Sequence, residues 1–419
     1  MRFTDDLNAW VARQRWYAGK SHDPRFRVLD VQPAPEATRY LLMDDAGALP
    51  ALYHVPLALI ASPGDAEEVI TEEADGGYVI DATRHAPFAI GMLAQMGLDV
   101  SRVTGTRVLT AEQSNTSIVF DQDGEPAIIL KLFRTLHHGE NPDVTVQRVL
   151  SAAGSPHVPR FLGSLDAEWP DVGREPGVAR GTLCFAHDFL RGVRDGWEVA
   201  LEAARERRDF GEAARALGIA VAGVHGALGA ALETVDAGSE DVTATVAGWR
   251  RRLATAAAEV PAVADRFDAI DDVYRLTLER PWPRLQRIHG DLHLGQVLAV
   301  PDGGWRIVDF EGEPLRPMEE RAIPDLPPRD VAGMLRSFDY ASAVGGAPDG
   351  AEWAAASQKA FLDAYTGAAG SIELDPVLLR ALVLDKAVYE STYEARNRPD
   401  WLPVPLSGID AALAPQALG

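Results

Sequence analysis

The chain has 419 residues, 47% of them apolar and 24% charged, with 62 Asp plus Glu against 40 Lys plus Arg and a formal net charge of −22. That length allows several globular domains, and the charge repels polyanions, so neither nucleic acid nor an anionic membrane is expected as a partner, whereas a cationic or neutral small molecule suits it. The single cysteine, Cys184, excludes an intrachain disulfide and a cysteine-based zinc site and points to a reducing compartment.

The N-terminus lacks the apolar core of a signal peptide, and no run approaches the ~18 apolar residues of a spanning helix, so a cytoplasmic location is expected. Residues 3–16 read as an amphipathic helix with Leu7, Trp10, Val11 and Ala12 on one face. Three short apolar runs, 26–31, 38–43 and 51–60, read as strands, the acidic stretch Asp65 to Asp75 as a solvated face, and 81–97 as a helix ending at Gly97. Strand-like RVTGTRVL, TSIVF and AIILKLF follow, with the turn DQDGE between the last two. A helix then opens with Asn141 as N-cap and Pro142 in its first turn and stops at Gly154. Strands are expected near 159–165 and 181–186, with a loop over 167–180 between them. Helices dominate from 195, over 208–236, 243–259 and 262–279, and again over 330–343, 351–367 and 376–398. A hairpin at 297–300 and 305–309 interrupts them, and a Pro-rich loop covers 313–329. This pattern divides the chain into a small α+β module (1–100), a strand-rich lobe (101–190) and a helical lobe (191–419).

The densest chemistry lies in His289-Gly-Asp-Leu-His-Leu-Gly-Gln296, followed by Asp309-Phe-Glu311 across the hairpin. Phosphoryl transfer needs an Asp that accepts the nucleophile's proton, and an amide oxygen with a second carboxylate to hold Mg²⁺ on the nucleotide. Asp291, Gln296 and Asp309 have the spacing of those three groups in a kinase catalytic loop. His289 and His293 are read as loop-structuring groups, and His225 as a packed helix histidine. Lys131 sits in the buried-looking strand AIILKLF, where an unpaired ammonium is costly and a phosphate partner is apt. The polar turn from Glu112 through Ser114, Asn115, Thr116 and Ser117 offers amides and hydroxyls to phosphates. On the helix near 384–397, Lys386, Glu390, Tyr393 and Asn397 share a face, with Glu394 adjacent and Trp401 beyond. Hydrogen-bonding groups beside an aromatic wall suit a sugar. Arg336 and Asp339 are further candidates, either for the sugar or as a structural pair.

HGDLHLGQ and VDFEGEP resemble the aminoglycoside phosphotransferase-like kinases. RQRWYAGK, EQSNTS, KLFR, NPDV, DGW (Asp195 to Trp197), RDVAGMLRSFDYA (Arg329 to Ala341) and YEARNRPDWLPVPLSGI (Tyr393 to Ile409) resemble maltokinase-like sugar kinases, glucosamine kinases of actinobacterial type among them. The resemblance implies a two-lobed, α+β protein-kinase-like fold with an N-terminal cap, and ATP and Mg²⁺ as cofactors. It assigns Asp291 as the catalytic base, Gln296 and Asp309 to the metal, and Lys131 and the Ser114–Ser117 turn to the phosphates. Adenine is expected against the main chain near Phe185, His187 and Phe189. The sugar is assigned to Asp291, Arg336, Lys386, Glu390, Tyr393, Glu394 and Trp401.

NPDV is usually followed in the family by a Glu that pairs the lysine; here Thr145 stands there, leaving Asp143 or Glu140 for that role. This divergence, the acidic balance and the paired Glu390 and Glu394 favour an amino sugar. The expected reaction is phosphorylation of glucosamine to its 6-phosphate by a monomer. The alternatives are a maltokinase making maltose 1-phosphate, or a kinase-like protein that binds nucleotide without turnover.

Overall fold

The computed structural model describes residues 2–20, 23–47, 50–64, 68–74, 76–109, 114–313, 316–346, 349–370 and 372–414. The chain divides into two compact units, Met1–Thr145 with Pro159–Arg191, and Val146–Val158 with Gly192–Gly419.

In the first unit α1 (Arg2–Arg13) buries Leu7, Trp10 and Val11 among Trp16, Tyr17, Tyr53 and Val55, three of the four residues of the predicted face; Ala12 is half-buried at its edge. Five strands, β1 (Phe26–Ala34), β2 (Ala37–Asp44), β3 (Ala51–Ile60), β4 (Val69–Glu72) and β5 (Tyr78–Asp81), lie in the order β1-β2-β3-β5-β4. The predicted helix over 81–97 is a single 3-10 turn at Ala82–Arg84 and then α2 (Ala86–Gln95). The break falls at His85, because Pro87 has no amide to continue a helix and must occupy a first turn.

A second antiparallel sheet holds β6 (Val103–Val108), β7 (Asn115–Gln122) and β8 (Glu125–Phe133). A short β9 (Thr135–Leu136) returns to β3. Asp123 and Gly124, both at positive φ, make the tight turn between β7 and β8. β10 (Phe161–Pro170) and β11 (Val178–Asp188) complete the order β10-β11-β8-β7-β6. Both run well into the stretch read as a loop, where Trp169 is buried in the core and Pro170 is tolerated as the last residue of β10, next to the connecting loop. α3 (Pro142–Ala152) contributes to both units; Asn141 Oδ1 accepts from the Asp143 amide at 3.0 Å, the N-cap its sequence predicts.

The second unit begins with β12 (Arg194–Asp195) and α4 (Gly196–Glu206), a helix that the sequence pattern does not announce. Asp195 of the DGW motif is its N-cap, accepting from Trp197 and Glu198 amides at 2.8 and 3.2 Å. α5 (Gly211–Ala231), α6 (Ser239–Glu259), α7 (Pro261–Ala264) and α8 (Phe267–Leu276) follow. Then come β13 (Val297–Ala299) and β14 (Trp305–Ile307), which with β12 form a three-stranded sheet. α9 (Met318–Arg321), α10 (Pro327–Gly345), α11 (Gly350–Ala368), α12 (Pro376–Asn397) and α13 (Pro403–Leu413) complete the unit. α5 is long and apolar enough to cross a membrane by length and composition; here half of that stretch is buried, with Leu217, Val221, Val224 and Leu228 in the unit's core.

Candidate active site

The β13–β14 hairpin brings the two halves of the motif together. Val297 pairs with Ile307, and the Val308 amide donates to Gln296 O at 3.0 Å. Gln296 Nε2 therefore reaches Asp309 Oδ2 at 3.0 Å, and Gln296 Oε1 has no partner among the described residues. Asp309 is at φ 66°, a left-handed conformation that a non-glycine residue holds only where its surroundings impose it. An amide oxygen and a carboxylate side by side are hard donors of the kind magnesium takes, so these residues fit that ion.

The loop ahead of the hairpin is clamped from below. Asp330, in the first turn of α10, accepts from the His289 amide at 2.8 Å and the Gly290 amide at 2.9 Å. Asp330 in turn lies 3.0 Å from His225 Nε2, and His225 Nδ1 lies 2.8 Å from the Tyr365 hydroxyl. A carboxylate only accepts, so Nε2 carries a proton toward Asp330. His225 is thus the packed histidine expected, held in a buried chain that ends on the catalytic loop. Gly333 of α10 brings that helix against the loop: a Cβ there would sit 2.4 Å from Leu292 O. His289 Nε2 lies 3.0 Å from Val308 O, and His293 Nδ1 accepts from the Gly295 amide at 3.1 Å. Both histidines shape the loop, as expected.

Asp291 stands on this platform with Oδ1 at 3.1 Å from Lys386 Nζ of α12, and its Oδ2 has no partner among the described residues. Burial pushes the Asp291 carboxyl up, but the charges of Lys386, His293 and His289 outweigh it and hold it below the ordinary carboxylate range. Asp291 is therefore ionised at neutral pH with one oxygen open to a proton. Around it lie Arg252, Glu313, Asp385 and Tyr389, none of which the sequence marks as site residues; Arg252 makes a two-bonded pair with Asp385 at 2.8 and 2.7 Å. Tyr389 was within reach of the sequence, being one helical turn from Lys386.

One turn further along α12, Arg336 of α10 lies 2.9 Å from Glu390 Oε2 through Nε and 2.5 Å from Asp339 Oδ2 through Nη1. Arg336 is 1% exposed, so its expected contact with a sugar gives way to a structural role, as the Asp339 pair suggests. Glu390 Oε1 has no partner among the described residues. Burial raises the Glu390 carboxyl further than Arg336 and Lys386 lower it. Glu394 departs from expectation more sharply. Both its oxygens have partners, the Tyr340 hydroxyl at 3.1 Å and the Arg398 fork at 2.7 and 2.9 Å, and the residue is 1% exposed, which turns it away from a ligand. Trp401 lies against Tyr340 and beneath Arg398, whose guanidinium carbon is 4.4 Å from the ring centre, and Tyr393 is 44% exposed.

In the first unit, Lys131 Nζ pairs with Asp143 Oδ2 at 2.9 Å, so the carboxylate at 143 answers the absence of one at Thr145. Lys131 has Ser117 of β7 and Phe185 of β11 as its cross-strand partners. The polar turn is strand from Asn115 onward; Glu112 and Gln113 lie outside the described residues. Strand alternation separates Thr116 from Asn115 and Ser117: its Oγ1 accepts from the buried Arg134 at 2.8 Å, which ties Thr116 to the cap strands rather than to a phosphate. Asn115 Nδ2 donates to Ser114 Oγ at 3.2 Å.

The main chain at the expected adenine contact is largely engaged within the sheet. Phe185 lies inside a strand paired on both sides and stacks on Phe133 and Phe161, so its main chain is committed to the sheet. The Asp188 and Phe189 amides already donate to Arg160 O and Ala127 O at 3.0 and 2.9 Å. His187 is pushed down to about 4 by burial, so its ring is neutral at pH 7, with Nδ1 at 2.9 Å from Asp188 O.

Residues 10–84 match the family model of the maltokinase N-terminal cap domain, and residues 105–370 that of the phosphotransferase enzyme family. A glucosamine kinase of Streptacidiphilus jiangxiensis is 32% identical over 372 residues, 82% of this chain and 80% of its own. A glucosamine kinase of Mycolicibacterium smegmatis is 28% identical over 337 residues, 74% of this chain and 80% of its own. A solved structure of a glucosamine kinase in complex with glucosamine, ADP and inorganic phosphate superposes with a TM-score of 0.73 at 24% identity, covering 97% of this chain and 99% of that one. The fold is the kinase-like α+β fold that the motifs imply.

Proposed function

The chain belongs to the phosphotransferase enzyme family, and from that premise we propose that it is an ATP-dependent kinase of glucosamine, forming glucosamine 6-phosphate. The observation that carries the reaction is Asp291, ionised, steadied on one oxygen by Lys386 and open on the other. As the acceptor oxygen bonds to the γ-phosphorus, the bond to the ADP oxygen breaks and Asp291 Oδ2 takes the hydroxyl proton. Little covalent help is needed, and orientation with charge neutralisation dominates.

Lys131, steadied by Asp143, together with Ser114, Asn115 and Ser117, serves the phosphates; the main chain beyond Asp188 serves adenine. Gln296 and Asp309 would hold magnesium, which when bound neutralises charge on the phosphates. Glu390 is the carboxylate for the sugar's ammonium, because Arg336 occupies only its Oε2. The two curated relatives described above are named for glucosamine, which supports this acceptor. The cap matches a maltokinase family model, but the glucosamine kinase structure spans that part of the chain too, so the cap does not separate the two acceptors.

The test is ADP formation with glucosamine, maltose and glucose, followed by phosphorus NMR of the product. Glucosamine should be turned over with the highest kcat/KM and yield the 6-phosphate. Turnover of maltose alone would replace this reading with the maltokinase one.

A further inference from the structure

The pocket over Asp291 is small, about 30 Å³, and it shares part of its lining with a larger cleft. Arg252, Glu313, Arg329 and Tyr389 line it and also line a cleft of about 1430 Å³ along α6 and α12 of the same unit. That is larger than the about 300–1,000 Å³ of an ordinary small-molecule site. A single hexosamine held at Asp291 would leave most of it unfilled.

The chemistry of the walls narrows what belongs there. Tyr389, Tyr393 and Trp282 present aromatic surface, and Thr392 and Asn397 present hydrogen-bonding groups, the mixture that sugar rings require. Four of the five arginines are committed: Arg252 to Asp385, Arg316 to Glu313 and Asp325, Arg329 to Asp325, and Arg396 to Glu259. Three charged groups on the walls lack an opposite partner among the described residues: Arg251, Asp241 and Glu320. An anionic ligand would meet one open guanidinium and two open carboxylates. A hydroxyl-rich chain bearing ammonium groups meets the better complement.

We propose that this cleft is an acceptor-extension subsite, binding oligosaccharides of glucosamine whose terminal unit reacts at Asp291 while the next unit lies beyond Tyr389. The inference rests on the glucosamine reading and widens its substrate class from the free sugar to its short oligomers.

The experiment compares glucosamine with its β-1,4-linked disaccharide, by calorimetric binding and by ADP formation, in the intact wild-type chain and in the double variant Asp241→Asn, Glu320→Gln. An asparagine side chain can still accept from the Gly238 amide that Asp241 now caps, so the α6 N-terminus is preserved. The disaccharide should bind at least as tightly as glucosamine, and the double variant should weaken it about fivefold while glucosamine is unaffected. A disaccharide that neither binds nor competes with glucosamine overturns the proposal, as does an equal effect of the variant on both sugars. Failure of the underlying reading looks different: glucosamine is then not turned over, while charge-dependent disaccharide binding would still support the cleft.

Discussion

Asp291 sits between opposing influences: burial favours its neutral form, and Lys386 at 3.1 Å favours the carboxylate. The sequence pattern assigns Lys386 to the sugar because it shares a helical face with Glu390. The structure puts its ammonium on the base, a contact between residues 95 positions apart that no local spacing reports. Removing that charge raises the Asp291 pKa. Activity depends on the ionised form and falls as pH drops through that pKa, so the acid limb must move to higher pH. Lys386→Met should show this shift in kcat/KM for glucosamine measured from about pH 4 to 8. Superimposed acid limbs would show that Lys386 does not tune the base.

Glu390 makes a separate claim, that it distinguishes an ammonium from a hydroxyl. A charge-assisted hydrogen bond contributes about 1.5–3 kcal/mol. Glu390→Gln should therefore lower kcat/KM for glucosamine by about tenfold to a hundredfold and change glucose much less. Equal losses on both sugars would mean that Glu390 does not read charge. Glu394 is no longer a rival for this role, because it is buried and both of its oxygens have partners in Tyr340 and Arg398.

The elements show why some parts of the molecule could be read from sequence and others not. α1, α3 and the β7–β8 hairpin announce themselves through an amphipathic stripe, an Asn-Pro start and an Asp-Gly turn. α4 and α13 escape notice because each lies within a segment whose motif residues invite a functional reading. Asp195 of DGW is a helix cap, and Gly408 of the PLSGI segment is a spacer in α13. A Cβ at Gly408 would lie 2.0 Å from Arg336 Nη1, so only glycine lets the guanidinium settle against Glu390 and Asp339. Gly408→Ala should lower stability by about 1–3 kcal/mol through overpacking. Because it also displaces the partner of Glu390, it should raise KM for glucosamine while leaving that for ATP unchanged. Thermal unfolding and KM values for both substrates check this; an unchanged melting temperature and KM would mean that α13 does not support the sugar site.

At the scale of the whole molecule, the catalytic loop and its hairpin were predictable because their groups are contiguous and their spacing carries chemistry. The platform beneath them was not. Asp330 contacts the loop from 41 positions away, and His225 reaches Asp330 and Tyr365 across 105 and 140 positions, distances along the chain at which only the folded structure pairs residues. The partner of Lys131 was open between two acids, and the fold chose Asp143. All of this converges on one claim, that Asp291 takes the proton from the acceptor hydroxyl. The most direct measurement is the glucosamine-dependent rate of ADP formation in Asp291→Asn beside wild type, with melting temperature and ATP affinity measured on the same samples. Loss of a general base predicts a fall in kcat of about 10²–10⁴-fold with the other two nearly unchanged. A purified, folded variant that turns over at close to the wild-type rate would contradict the account.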